Sequence, residues 1–262
     1  PTEAKGGITA KEKKAMDALV EKWKGIAFQT GAVDKEKLTE AIKRLYKVVG
    51  LKEPRVVIVP SPFVMAFAYG LSAGWWYLKK NKKVATDNAT RNAIDNAIDN
   101  ATHNATDNAT EGKEFTWLFD LAFDFAGGDS ATAKFFISCI NGWYQNYQGG
   151  NMWAGHHSYY EAMRDVIKLR GLNCWEKYQA WEDCGKLGGF RVMHEEFCIV
   201  SEFPEILKTN SQGQPHCETG PSHRWKDGNE LYYLNGVKVE KWLVMTDSGK
   251  IDPKLALTEK NV

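Results

Sequence analysis

The sequence lacks the cysteine patterns of two large protein classes. It contains five cysteines, an odd number, and no two of them are separated by two residues. Disulfide scaffolds pair an even number of cysteines, and zinc ribbons use CxxC pairs. The pattern therefore argues against both classes. It predicts reduced thiols, buried as small apolar side chains, in a cytoplasmic protein.

Long apolar segments are also missing. The first residues contain no apolar stretch of the kind that a signal peptide requires, so we expect no export. The longest apolar stretch, residues 56–78, is interrupted by two prolines and by glycines and serines. These interruptions predict a buried strand followed by a buried helix rather than a membrane span.

Charge of one sign is not in excess. The chain has 34 basic and 33 acidic side chains and a formal net charge of +1. Such a balance provides no overall field that would attract nucleic acid or an anionic membrane. The sequence also has no Walker loop, no GxSxG motif and no dinucleotide-binding fingerprint. None of these common enzyme and cofactor classes is indicated.

Helical periodicity dominates the chain up to residue 189, and β-hairpin signals follow it. The first helical spacing begins at Thr9, and Asp34 and Ser61 lie where N-caps are expected. After residue 190, β-forming residues are separated by Asp-Gly and Asn-Gly turns. We therefore predict an α+β fold with a mainly helical body (1–189). A small antiparallel β-hairpin region (190–247) is packed on it, and an irregular tail (248–262) follows.

A run of six tetrads, residues 87–110, repeats Asn and Ala at fixed positions. Three interpretations are open. Four of its asparagines lie in N-A-T, the acceptor of N-glycosylation, but that modification requires export. A spacer or strand is the second. We favour the third, a packed helix over residues 84–111 that acts as a structural spine, because the segment has no Gly or Pro.

Residues 188–244 hold most of the candidate functional side chains, including three of the six histidines. His194 and Glu196 are two residues apart and would share a face of a strand, which suits a general base and its orienting carboxylate. The segment HEEFC is not a metalloprotease HExxH motif, since Cys198 replaces the second histidine. No metal is indicated; if one binds, its ligands would be His194, His216 and His223. The candidate binding residues are His216, Glu218, His223, Arg224, Trp225 and Asp227.

The stretch "PHCETGPSHRWKDGNELYYLNGVKV" resembles the C-terminal signature of a bacterial and phage domain family of unknown function. Its pattern includes a His, a Gly-Pro, an Asp-Gly, a Tyr and a final G-V-x-V. This chain departs from the pattern at Asn235, where relatives carry His before the last Gly-Val. The stretch also resembles MORN-type hairpin repeats, in which Gly, Tyr and Asn-Gly serve turns and packing. The resemblance implies a bacterial or phage origin and hairpins, and no activity.

Two functional hypotheses follow. The first is a ligand- or partner-binding or structural protein that uses its C-terminal His, Glu and aromatic side chains. Its partner would be a small molecule or a protein, with no cofactor implied. The second is an acid–base or metal-assisted hydrolase or transferase, with His194 and Glu196 as acid and base and His216 and His223 beside them. Convergence of these side chains in one pocket would favour the enzyme.

Overall fold

The computed structural model describes residues 7–80, 126, 128–144, 154–169, 171–251 and 254 of the chain. The tetrad run and the predicted helix over residues 84–111 lie outside the described residues. Within the described residues, helices combine with small antiparallel sheets, which confirms the α+β prediction. The packing divides the chain into two compact units.

The first unit comprises the described parts of Pro1–Gln29, Val33–Ile58 and Asn146–Ser201. Its helices are α1 (Ala10–Ala27), α2 (Lys35–Val48), α5 (Ala154–Glu161) and α6 (Trp175–Leu187), and a π-helical turn (Ala162–Val166) extends α5. Helix α1 packs against α5, and α2 packs against α6. Strands β2 (Arg191–Met193) and β3 (Phe197–Ser201) form an antiparallel hairpin. Strand β1 (Arg55–Val59) completes a sheet of order β1-β3-β2.

The predicted N-cap at Asp34 is confirmed, and the structure adds one at Thr9. The Thr9 hydroxyl accepts a hydrogen bond from the Glu12 amide, and the Glu12 carboxylate accepts one from the Thr9 amide. Asp34 accepts from the Lys37 amide at the start of α2. Each cap satisfies amide groups that the first helical turn leaves without a partner. The apolar stripes of these helices then point inward, with Trp23, Leu38 and other side chains buried.

The second unit comprises the described parts of Thr30–Ala32, Val59–Gln145 and Glu202–Val262. Helix α3 (Pro62–Lys80) packs against α4 (Ser130–Tyr144). Gly74 of α3 allows close approach, because a Cβ there would lie 2.8 Å from the Phe136 ring. The predicted strand and helix of residues 56–78 are both present: the helix is largely buried, whereas in the strand only Val59 is buried and the other residues are half-buried. No helix of the described part is long and apolar enough to cross a membrane.

Short strands follow in the second unit. Strands β4 (Ile206–Leu207), β5 (His223–Arg224) and β6 (Glu230–Leu231) form one antiparallel sheet. Strands β7 (Tyr233–Leu234) and β8 (Val237–Lys238) form a second hairpin, followed by helix α7 (Lys241–Met245) and a 3-10 turn (Ser248–Lys250). The predicted Asn-Gly turn joins β7 to β8: Asn235 and Gly236 both have positive φ, the backbone that tight hairpins require.

The two compact units do not coincide with the predicted division of the chain at residue 189. The β2–β3 hairpin belongs to the first unit, whereas β4 to β8 belong to the second. Whether the sequence blocks 1–189, 190–247 and 248–262 behave as domains stays a prediction.

Candidate functional site

The candidate site is a groove in the second unit, beside the β7–β8 hairpin and helix α7. Its volume is about 590 Å³, within the usual size range of small-molecule sites. One side carries the apolar side chains of α7 and its neighbours, and the other carries polar groups from the hairpin and the loop before it. The lining residues are His216, Glu218, Thr219, Leu234, Asn235, Leu243, Val244, Met245, Thr246, Asp247 and Ile251.

The imidazole of His216 is held in place by the Asn-Gly turn. Its Nδ1 accepts a hydrogen bond of 3.1 Å from the backbone amide of Asn235. In the neutral ring the proton must therefore be on Nε2. That nitrogen lies 3.5 Å from Oε1 of Glu218, and the His216 side chain is 20% exposed. The groove thus has one oriented donor beside a carboxylate.

Charge in the groove has one sign. Among the described residues, the lining includes two carboxylates, Glu218 and Asp247, and no lysine or arginine. Glu218 is 77% exposed, so it is free to reorient towards a ligand. Asp247 already accepts a hydrogen bond from the Gly249 amide at the start of the 3-10 turn. Apolar surface is supplied by Leu243 and by Met245, which is among the exposed large hydrophobic residues.

A thiol lies next to the groove in sequence. Cys217 is buried, and Nζ of Lys208 lies 3.6 Å from its sulfur. Burial alone would raise the pKa of this thiol. Hydrogen bonds from Thr219 and the charge of Lys208 outweigh burial and hold the pKa below its ordinary value.

The remaining predicted binding residues of the second unit serve the hairpins. His223 stacks on Trp225 with ring centroids 5.7 Å apart, and burial lowers its pKa to about 4. Trp225 is buried and Arg224 is exposed. None of these three lines the groove. Their predicted binding role stays a prediction.

Asp227 is buried and connects two elements. The Ser61 hydroxyl donates to its Oδ2 at 2.5 Å, and the Asn229 amide donates to its Oδ1. Ser61 also accepts from the Val64 amide, so it caps α3 as predicted. Burial raises the pKa of Asp227. In this geometry the carboxyl joins the Asp-Gly turn to the start of α3.

His194 and Glu196 lie in the first unit, in the turn between β2 and β3. The prediction that they share a strand face is wrong, because the strands end at Met193 and resume at Phe197. Nδ1 of His194 accepts the backbone amide of Glu196 at 3.2 Å, and the ring stacks on Phe197. The histidine is thus oriented by a backbone amide in place of a carboxylate. Their acid–base role stays a prediction.

A metal centre finds no support in the part of the chain that the structure describes. No three His, Cys, Asp or Glu side chains there form a group that could hold a metal ion. The alternative ligand set of His194, His216 and His223 is therefore not assembled among the described residues.

A second groove, of about 630 Å³, lies in the first unit between α2 and α6. Its lining is mostly charged, and much of that charge is already paired. Lys43 pairs with Glu40 at 3.2 Å, and Arg44 pairs with Asp183. Because few apolar groups and few unpaired charges remain there, the groove beside α7 is the better candidate for a ligand.

Sequence reasoning found only two residues of the candidate groove, His216 and Glu218. It missed the apolar half, especially Leu243, Val244 and Met245. A signal was present: the run WLVM follows the last hairpin and is too short to form a core helix by itself. Asn235 was noted as a turn residue and as a departure from a pattern, but not as the residue whose amide fixes His216.

Comparisons with protein-family models, with curated proteins and with solved structures found no match.

Proposed function

We propose that the protein binds a small ligand in the groove beside α7. The observation that carries the proposal is the combination of one oriented imidazole donor, two carboxylates and an apolar wall in one concavity. Ligand sites commonly pair a mainly apolar surface with a few fixed polar groups. This extends the sequence-based binding hypothesis from a surface to a groove.

The charge of the lining favours one chemical class. Glu218 and Asp247 attract a cationic or hydrogen-bond-donating group, whereas no lysine or arginine of the lining would hold an anion. Leu243 and Met245 favour an apolar body of a few carbon atoms. The proposed ligand is therefore a small amphipathic amine or amino alcohol.

The proposal extends to the setting of the protein. All five cysteines are free thiols, which supports a reducing, cytoplasmic location. A bacterial or phage origin is proposed from the sequence resemblance alone. The acid–base enzyme remains the alternative, with His194 and Glu196 at its centre.

The test is a thermal-shift screen with three ligand groups: apolar amines, the matched apolar carboxylates, and polar amines without an apolar part. We expect apolar amines to raise the melting temperature most. His216→Ala and Leu243→Ala should each weaken the response by about tenfold in ligand concentration, since each removes roughly 1–2 kcal/mol of binding. His156→Ala, an exposed histidine of the first unit, is the control.

Two outcomes would contradict the proposal. One is a response to carboxylates in place of amines. The other is a response to amines that both groove variants retain in full.

A further inference from the structure

The core of the first unit contains a buried positive charge that forms no ion pair with any residue that the structure describes. Arg191, the first residue of β2, is 1% exposed. Its guanidinium carbon lies 4.6 Å from the centroid of the Trp181 ring, so one face of the cation is covered by an aromatic face. The edge of the group is different: Nε and Nη2 are buried and have no hydrogen-bond partner among the described residues.

These two nitrogens define a specific shape. In a planar guanidinium, the Nε–H and one Nη2–H bond lie on the same edge and point in parallel. This edge is the fork that binds two oxygens of a carboxylate or a phosphate. The unpartnered atoms of Arg191 are therefore a complete bidentate donor.

Arg191 differs from the other buried charged residues of this unit, which are held by ion pairs or hydrogen bonds. Glu161 accepts from Lys22 at 2.6 Å and from the indole of Trp23 at 2.7 Å. Glu182 accepts from Arg164 at 2.8 Å and from Lys186 at 2.5 Å. Among the described residues Arg191 makes no ion pair, although a guanidinium cannot become neutral by losing its proton.

An uncompensated buried charge is strongly unfavourable, because its removal from water is not repaid by an opposite charge. The cation–π contact offsets only a small part of that cost. A small anion with two oxygens would fit both the charge and the fork.

We propose that the Nε–Nη2 edge of Arg191 binds a small oxyanion in the core of the first unit. The shared chemistry is a pair of negatively charged oxygens, as in a carboxylate or an inorganic phosphate. Strand β2 is three residues long and lies at an edge of the sheet order β1-β3-β2. Local opening of such an edge strand gives the ion a route to Arg191. This inference is independent of the groove beside α7.

The direct test is calorimetric titration of the full chain, equilibrated overnight, with formate, inorganic phosphate and chloride at constant ionic strength. We expect saturable binding of at least one oxyanion, and at least tenfold weaker binding of chloride, which has no second oxygen for the fork. Tighter binding of formate identifies carboxylates, and tighter binding of phosphate identifies phosphoryl compounds.

Two variants separate the contribution of the two-nitrogen fork to binding from that of the positive charge. Arg191→Lys keeps a cation without the fork, and Arg191→Met removes both while retaining length. Affinity for the preferred oxyanion should fall at least about tenfold in the lysine variant and further in the methionine variant. Arg44→Met, at an exposed arginine of the same unit, is the matched control and should bind as the parent does.

A measurement on the unaltered protein tests the proposal even if the variants do not fold. The charge of Arg191 acts on the buried His157 ring, together with Lys186, His156 and Glu161. A bound anion opposes the field of Arg191, so the His157 resonances should titrate at higher pH in the preferred oxyanion than in chloride. Three results would overturn the proposal: no saturable binding of either oxyanion, full affinity in Arg191→Lys, or an unchanged His157 titration.

Discussion

The two units of the molecule bury polar groups in different ways. The first unit buries charged side chains, Glu161, Glu182 and Arg191, beside the neutral imidazole of His157. The second unit buries hydroxyl groups, such as Ser61 and Ser222, and one carboxyl group, Asp227. In the first unit, Glu161 and Glu182 are held in buried ion pairs and Arg191 is the exception. In the second unit, the buried polar groups belong to helix caps and turns.

This difference determines what a single substitution costs. Removing one member of a buried ion pair leaves the other charge without compensation, which costs several kcal/mol. Removing one hydroxyl from a cap leaves one amide and one carboxyl oxygen with fewer partners, which costs less. The first unit should therefore be the more sensitive of the two to polar substitutions.

The largest expected effect is at Glu182, which is 1% exposed and binds both Arg164 and Lys186. Glu182→Ala leaves both cations without their carboxylate partner. We expect a loss of about 3–5 kcal/mol in the free energy of unfolding, measured by urea denaturation. Because Asp165 also binds Arg164, the loss should fall at the lower end of that range.

Glu176→Ala on the same helix is the matched control, since Glu176 is exposed. Its effect should be within about 0.5 kcal/mol of zero. Equal effects of the two substitutions would mean that the buried pair network does not stabilise the first unit.

Acid should weaken the first unit more than the second. Burial, with the nearby charges of Arg191, Lys186 and His156, lowers the pKa of His157 to about 4, against the opposing charge of Glu161. The unfolded chain therefore binds more protons than the folded chain between pH 6.5 and 4. The contribution of His157 to the free energy of unfolding is complete above pH 6.5 and is lost as the pH falls through about 4. The full difference is about 3 kcal/mol.

In the second unit two groups act in opposite directions. His223 behaves like His157, because burial lowers its pKa to about 4. Asp227 has a raised pKa, so its contribution is greatest in acid and is lost as the pH rises above the ordinary carboxyl range. Protonation of Asp227 therefore offsets part of the loss at His223.

Stability measured from pH 7 to pH 4 tests this with His157→Phe and His223→Phe, which keep a ring on Trp23 and Trp225. Each of these two substitutions should reduce the loss in the free energy of unfolding between pH 7 and pH 4. Asp227→Asn should increase that loss, since the opposing contribution is removed. An unchanged loss in His157→Phe would show that this imidazole is not the acid-sensitive group.

Most of the local structure could be predicted from the sequence, because it depends on neighbouring residues. The caps at Asp34 and Ser61 and the turn at Asn235-Gly236 need only a few residues of context. Hairpins were predicted in this stretch, but the turn at residues 194–197 was not located, because β-formers flank it on both sides. Two charged residues at its tip, Glu195 and Glu196, were the available signal for a two-residue hairpin loop.

The sites were less predictable, because they depend on packing between distant segments. His216 and Glu218 were found by residue type, but the apolar wall of their groove comes from α7, more than twenty residues later. Arg191 was not singled out at all. On a strand a single arginine normally indicates an exposed position. Only the packing of β2 against α6 brings its guanidinium to Trp181 and away from water.

The smallest expected effect concerns the helix caps in the interior of the second unit. The Ser61 hydroxyl accepts from the Val64 amide and donates to Asp227, so Ser61→Ala removes a helix cap and a buried hydrogen bond together. The Asp227 carboxyl keeps its hydrogen bond from the Asn229 amide, and no ion pair is broken. We therefore expect a loss of about 1–2 kcal/mol by urea denaturation, clearly below that of Glu182→Ala. Ser211→Ala, at an exposed turn residue, is the control. A loss at Ser61 equal to that at Glu182 would remove the distinction between buried ion pairs and helix caps.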